Sequence, residues 1–597
     1  MESLIKEARE IYDGNDVREL NDIYVKNKAI VEKLENLIPR AHKEITKEHE
    51  DHTGSQIVDP YDSYPMVAKN QGGNIKFKAD IEDITSFDRL AEIMKASVKE
   101  KKHVKAVGGI TETDGYLLQT SQYTGISKTS LDILRENIKA QAEKDDIIYY
   151  DVKCGNTIKD VVKELKKDNR ALFNLDGWGG QCIVSANATS THGSGVTLPP
   201  LHSFIVSVNI IAPGGKLYRI EPSKGITDPL KFRFKFPDIS LIQDDETFNA
   251  SIVHIGALGI TYEMTIYSIS LYSIIQIREE TTWDHAKTIL KQKPYSSNPY
   301  LQYHNCEVWI SPYTDYALIT KRNVATQEDK KNYPKSEINM LFQEFMKLPI
   351  VQGVSKFLNI SVGGALFLLL NLFPATVPSM IEIAERTQYH KDPIVDTYDN
   401  IYPVGLVNDF KVIAVEFSFS MKNDNHIAAI DAILQTLKKI REEDNLNING
   451  PASLRFSAAS SQYLSMAYNA DNEPRAYLEM PILLYEPHIV YYKKTYDALL
   501  QTALKFNARC HWGQYFSSVL DHQYLLNAYG AEPISLFIKQ IQNFDPQGIM
   551  SNDLLNHLGL TPDGKVIDIN PFQKVIRDIN IGIEEFWNKL TMKDDKT

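Results

Sequence analysis

The sequence predicts an α+β protein of two or three closely packed domains. Short β-branched strands alternate with amphipathic helices from about Asn74 onward. A chain of 597 residues is long enough for more than one core, and 43% hydrophobic with 24% charged residues is an ordinary globular balance. No repeat and no low-complexity tract interrupts the texture.

Residues 1–50 are charged and helix-periodic, with Leu4, Ile5, Ala8, Ile11 and Tyr12 on one stripe. A helical extension over 1–70 is expected, ending after the polar break at 49–64. Next come a strand at 75–79, an amphipathic helix at 86–100, and a strand at 104–107 that runs into Gly108-Gly109. Strands at 147–152 and 205–212 follow, the latter entering the turn Pro213-Gly214-Gly215. The apolar run 252–255 reads as a further strand before Gly256-Ala257-Leu258-Gly259-Ile260-Thr261. Beyond 276 the chain is more aromatic, with strands expected at 306–310, 412–419 and 476–485 and helices at 427–443 and 486–507. The domains expected are 1–70, 71–275, 276–505 and a C-terminal segment 506–597.

A net charge of -12 without a basic stripe argues against nucleic acid as a partner. Cys154, Cys182, Cys306 and Cys510 lie far apart with no Cys-x-x-Cys pair, which fits reduced thiols in a cytoplasmic protein with no metal site. The N-terminus lacks the layout of a signal peptide. From 357 to 381 there is no charge, but Asn, Gly and Pro interrupt the run. A buried helix, an interfacial or channel helix with peripheral membrane contact, and a membrane span are its three readings, in that order.

The segment from Asp176 to Gly195 is the most informative. Glycines and hydroxylated residues dominate it, and His192 stands near its end. It reads either as a glycine–serine surface loop or as main chain that closely approaches a phosphate-bearing ligand, binding it through backbone N–H groups and hydroxyls.

The order of these segments resembles the vanillyl-alcohol oxidase-type flavoprotein family, and within it the sugar-lactone and alditol oxidases, over about 70–275 and 445–560. Four elements carry the likeness: Ala106-Val107-Gly108-Gly109-Ile110-Thr111-Glu112-Thr113; the Thr191-His192-Gly193-Ser194-Gly195 ending; Leu454-Arg455-Phe456-Ser457; and Cys510-His511-Trp512-Gly513-Gln514. The resemblance implies a two-subdomain PCMH-type FAD-binding domain plus an α+β cap with an antiparallel sheet. It implies FAD contacts from Val107, Gly108, Gly109, Thr111 and Thr113 in the first turn. In the second segment it implies Asp176, Gly177, Gly179, Gly180, Ile183, Ser185, Ala186, Thr189, Ser190, His192, Gly193 and Gly195. Gly259, Ile260 and Thr261 are implied on the adenine side and His511 near the isoalloxazine.

The implied activity is oxidation of an alcohol or lactone-type hydroxyl by hydride transfer to flavin N5, with oxygen or another acceptor taking the electrons. A bulky, sterol-like alcohol and a flavin-binding protein without oxidation are the alternatives. Arg455, His511, Glu479 and Gln514 are the candidate catalytic residues. Arg455 is a permanent cation suited to a developing oxyanion. Alternation puts Tyr477 and Glu479 on one face of a strand that reads as half-exposed. His192 reads foremost as a loop-fixing residue.

Three positions depart from the family pattern. Thr111 stands where the flavin-linking histidine is usual, so noncovalent FAD is expected, with a cysteinyl link through Cys182 as the alternative. Ser453 replaces the acid of a Glu-x-Arg triplet, and Gln514 replaces a lysine.

Overall fold

The computed structural model describes residues 57–58, 66–69, 76–107, 115–333, 335, 352, 377–402, 412–444, 446–483, 489–517 and 519–566. Among them the strands form three sheets. The first holds β1 (Ile57–Val58), β2 (Met66–Lys69), β3 (Lys76–Asp83), β4 (Val104–Ala106) and β5 (Tyr116–Gln119) in the order β1-β2-β3-β5-β4. The second holds β6 (Ile126–Lys128), β7 (Ile148–Lys153), β8 (Arg170–Ala171), β9 (Ile205–Ala212), β10 (Lys216–Glu221), β11 (Ile239–Gln243) and β12 (Ile260–Ser270). Its order is β11-β10-β9-β12-β7-β6, with β8 on β12.

The third sheet is antiparallel and holds β13 (Ser273–Thr282), β14 (Asn305–Ile310), β15 (Tyr316–Val324), β16 (Ile394–Thr397), β17 (Val412–Ser420), β18 (Ala452–Ser457), β19 (Arg475–Leu483) and β20 (Arg509–Cys510). Its order is β16-β13-β15-β14-β18-β19-β17-β20. The α+β class and the antiparallel sheet are as the sequence predicts.

Local chemistry explains several boundaries. The Ser86 hydroxyl accepts the Arg89 N–H and starts helix Phe87–Glu100. Thr157 and Asp160 form a reciprocal capping box on helix Ile158–Lys167, which turns Ile158, Val161 and Leu165 into the core. On the third sheet Val308, Leu454, Phe456, Leu478, Met480, Val415 and Phe417 are buried, and they join Ile427, Ile430, Ile433 and Leu437 of helix Asn425–Asp444 in one hydrophobic cluster. The C-terminal part is tied to the first two sheets. Val104 N–H donates to Ile549 O, and Lys539 and Gln540 both reach Glu246.

The structure corrects three expectations. Residues 252–255 are no strand: helix Asp245–Ile252, capped by Asp244, ends there and leads into the 254–259 turn. The segment 176–195 is not wholly loop, because Ile183–Ala188 is a short helix that buries Ile183 and Ala186. β19 is not half-exposed, because Tyr477, Leu478 and Met480 on its two faces are all buried. The N-terminal helical expectation over 1–50, residues 357–376 of the apolar run and 486–488 lie outside the described residues. Among the described residues no helix is long and apolar enough to cross a membrane.

Candidate active site

Sheet register assembles the site. Ser453 is directly opposite Glu479, which is directly opposite Glu416 on the next strand. Arg455 is opposite Tyr477, and Tyr477 is opposite Ser418. Since directly paired residues share a face, four neighbouring strands present one polar face against the apolar face described above. This face is largely buried, so most of its groups must satisfy one another.

Arg455 lies at the centre. Its Nε donates to Glu307 Oε1 at 3.1 Å, and a terminal nitrogen donates to Glu479 Oε2 at 3.2 Å. Glu307 also accepts from the Ser453 hydroxyl at 2.9 Å and from Arg322 at 3.3 Å. Burial opposes ionisation of Glu307, but the guanidinium groups of Arg455 and Arg322 outweigh it and hold the carboxyl down to about 2. Glu479 accepts from Gln514 Nε2 at 3.0 Å, and the other end of that amide, Gln514 Oε1, is buried with no partner among the described residues. The Glu479 carboxyl is pushed up, first by burial and then by Glu416 opposite it, against the pull of Arg455. Glu416 is held low, because His192, His511 and Arg455 outweigh its burial. The two facing carboxyls are therefore shifted in opposite directions.

His192 couples the glycine-rich segment to this face. Its Nε2 lies 2.9 Å from Glu416 Oε1, its Nδ1 lies 2.8 Å from Gly193 O, and its ring stacks on Tyr477 at 3.7 Å. Both ring nitrogens thus face acceptor oxygens. The Ser190 hydroxyl accepts Met466 N–H at 2.8 Å, the Ser194 hydroxyl donates to Cys306 O, and Gly195 N–H donates to Phe456 O. Gly195 has φ +132°, and a Cβ there would lie 2.5 Å from His304 O.

A cleft adjoins the polar face. Lys105, Val107, Cys154, Ser185, Thr189, His254, Gly256, Gly259, Ile260, Thr261 and Trp512 line it, enclosing about 680 Å³ of empty space with its open mouth included. Trp512 and Thr189 mark the end nearest the sheet, since Gly513 packs on Thr189 and Gln514 bonds Glu479. His511 accepts Gly513 N–H on Nδ1 at 3.0 Å, which leaves its proton on Nε2. Burial, with His192 adding to it, pushes its pKa down to about 4 against the pull of Glu416.

Beyond Ser190, His192, Gly193, Gly195 and His511, the predicted cofactor residues divide into four groups. Val107, Ser185, Thr189, Gly259, Ile260 and Thr261 line the cleft. Ile183 and Ala186 face the core. Asp176, Gly177, Gly179 and Gly180 form a turn whose Asp176 carboxyl accepts from Gln181 at 2.5 Å. Gly108, Gly109, Thr111 and Thr113 lie outside the described residues. Cys182 is partly buried, with its thiol pushed up to about 11 by burial, which disfavours the thiolate that a covalent link would need. Sequence reasoning missed Glu307, Glu416, Lys105 and His254. A lone carboxylate inside the apolar strands Asn305–Ile310 and Val412–Ser420 was the available signal for the first two.

The residues of the cleft fit a dinucleotide: glycines at positive φ (Gly256 and Gly259), hydroxyls from Ser185, Thr189 and Thr261, and a buried lysine without a carboxylate partner among the described residues. Comparison with known proteins agrees. The D-arabinono-1,4-lactone oxidase family model matches residues 269–558. The chain is 22% identical to the L-gulono-1,4-lactone dehydrogenase of Mycobacterium tuberculosis, over 72% of this chain and 85% of that one. It is also 22% identical to the mitochondrial L-galactono-1,4-lactone dehydrogenase of Arabidopsis thaliana, over 44% of this chain and 38% of that one. A solved solvent-stable cholesterol oxidase superposes with a TM-score of 0.63 at 12% identity, covering 84% of this chain and 98% of its own. In sequence the chain is thus similar to aldonolactone oxidoreductases, and in fold to a cholesterol oxidase.

Proposed function

We propose that this protein is an FAD-dependent oxidoreductase that oxidises a hydroxyl of an alcohol or aldonolactone. The observation that carries this reading is the part-buried Arg455–Glu479–Gln514 constellation, whose Gln514 follows two residues after the cleft-lining Trp512. Bound FAD supplies the hydride acceptor, and the protein's own groups manage orientation and one proton. Glu479, whose carboxyl is pushed up, is the base that takes the hydroxyl proton. Arg455 offsets the negative charge that develops on the substrate oxygen. Gln514 Oε1, an acceptor without a donor, receives a hydroxyl of the substrate. His511 offers an Nε2–H as donor and is too low in pKa to be the cation.

The polar sheet face favours a hydroxyl-rich substrate over a sterol, since a sterol body against it would leave Arg455 and Glu479 facing hydrocarbon. The names of the relatives point the same way. We further propose noncovalent FAD held over 71–275, a substrate cap over 276–505, a C-terminal segment that returns to the FAD domain, and a cytoplasmic protein. Peripheral membrane contact through 357–381 rests on its uncharged sequence. Anaerobic mixing with a panel of aldonolactones, polyols and sterols tests the main reading, with bleaching of the flavin band by a lactone or polyol expected. FAD firmly bound but unbleached across the panel would refute oxidation, and bleaching by sterols alone would refute the substrate class. Readmitting air then tests oxygen as the acceptor.

A further inference from the structure

Lys105 is the one lysine among the buried described residues. It sits on β4 and lines the cleft, where its Nζ donates to Ile255 O at 3.2 Å. No carboxylate among the described residues pairs with it, and burial alone pushes its pKa down, to about 8. A buried ammonium held by a single carbonyl is costly, so a site that keeps one is built for an anion that arrives later. The positive-φ turn at Gly256 brings main chain against this group: a Cβ at Gly256 would lie 3.0 Å from Nζ. The neighbouring His254 is no competing cation. Its Nδ1 accepts Gly256 N–H, its Nε2 donates to Thr261, and burial with Lys105 beside it holds it down at about 4. Cys154, which also lines the cleft, is pushed up by burial to about 12. Lys105 is then the group that titrates near 8 among the described residues lining the cleft.

We propose that Lys105 supplies the buried counter-charge for the diphosphate of the dinucleotide, a contact that riboflavin lacks. This rests on the FAD reading above. Diphosphate binding holds the ammonium protonated, so FAD affinity falls as pH rises past about 8 while riboflavin affinity does not.

The test titrates FAD and riboflavin into the flavin-stripped full chain by flavin fluorescence. Lys105→Met should weaken FAD roughly tenfold to a hundredfold and leave riboflavin unchanged, with Lys105→Arg between wild type and Met. Equal losses for both ligands, or no loss for FAD, would overturn the assignment. If Lys105→Met does not fold, the wild-type pH series decides: a drop above pH 8 confined to FAD supports it, and parallel curves overturn it. A wild-type chain that binds neither ligand refutes the FAD reading itself, a different outcome from normal FAD binding by Lys105→Met.

Discussion

Replacing Glu307 by Gln keeps the volume of the side chain and removes a charge shared by two buried guanidinium groups, Arg455 at 3.1 Å and Arg322 at 3.3 Å. Against its burial, those groups hold the Glu307 carboxyl at about 2, compared with an ordinary 4.5. At about 1.4 kcal/mol for each pKa unit, that depression corresponds to about 3 kcal/mol of stability. Loss of one partner from a buried pair costs roughly 3–5 kcal/mol in other proteins, so the two routes agree. Because the folded value lies below the unfolded one, the contribution is complete well above pH 4.5 and is lost as pH falls through about 2. Urea unfolding of wild type and Glu307→Gln should therefore differ by about 3 kcal/mol at pH 7, with the gap shrinking to roughly half or less by pH 3. Ser453→Ala, which removes only a hydroxyl donor to the same carboxylate, should cost about 1 kcal/mol. A Glu307→Gln protein as stable as wild type, or a gap that ignores pH, would refute the charge argument.

Three further outcomes can be measured. Arg455→Lys offers one nitrogen where two carboxylates are now held, so substrate-driven flavin reduction should slow roughly a hundredfold in stopped flow, with FAD affinity unchanged. Burial pushes Asp176 up to about 7 although Gln181 and Arg455 favour its charge, so the folded chain keeps a proton that the unfolded chain loses from about 3.8 upward. Wild-type stability should fall across that window, and Asp176→Asn should melt higher than wild type at pH 8 but not at pH 4. Glu479→Ser should abolish most reduction, whereas the exchange Ser453→Glu with Glu479→Ser should restore a large part of it, measured as single-turnover rates against the same lactone.

Elements whose ends carry their own chemistry are legible in the sequence. Thr157 with Asp160 marks the start of helix Ile158–Lys167, and Pro213-Gly214-Gly215 marks the end of β9. The run 252–255 misleads because four apolar or β-prone residues look alike at a helix end and in a strand. The decisive signal lies upstream, where Asp244 accepts Thr247 N–H at 2.7 Å. The glycine-rich segment 176–195 and Arg455 stand out because their residue types are unusual for their setting. Their partners are not: Glu307 lies 148 residues from Arg455, and Glu416 lies 224 from His192. Strand order and register, which a single sequence does not print, bring each pair within hydrogen-bonding distance.

That geometry changes the meaning of Ser453. Read along the chain, an acid is missing two residues before the arginine. Read across the sheet, Ser453 faces Glu479 directly, and its hydroxyl and the Arg455 guanidinium converge on Glu307. The arginine thus has two carboxylates from flanking strands, one held ionised and one pushed toward its protonated form. An antiparallel sheet tolerates such an exchange because opposite residues on one face lie within about 5.5 Å of each other, close enough for a long side chain to serve either backbone position. What the position must conserve is a carboxyl beside a buried guanidinium, and the departure at Ser453 is no argument for lost chemistry. Gln514 is different in kind. A lysine there would compete with Arg455 for Glu479 and draw its proton away. The neutral amide donates to Glu479 without adding a charge and keeps a buried oxygen without a donor among the described residues, leaving the carboxyl raised.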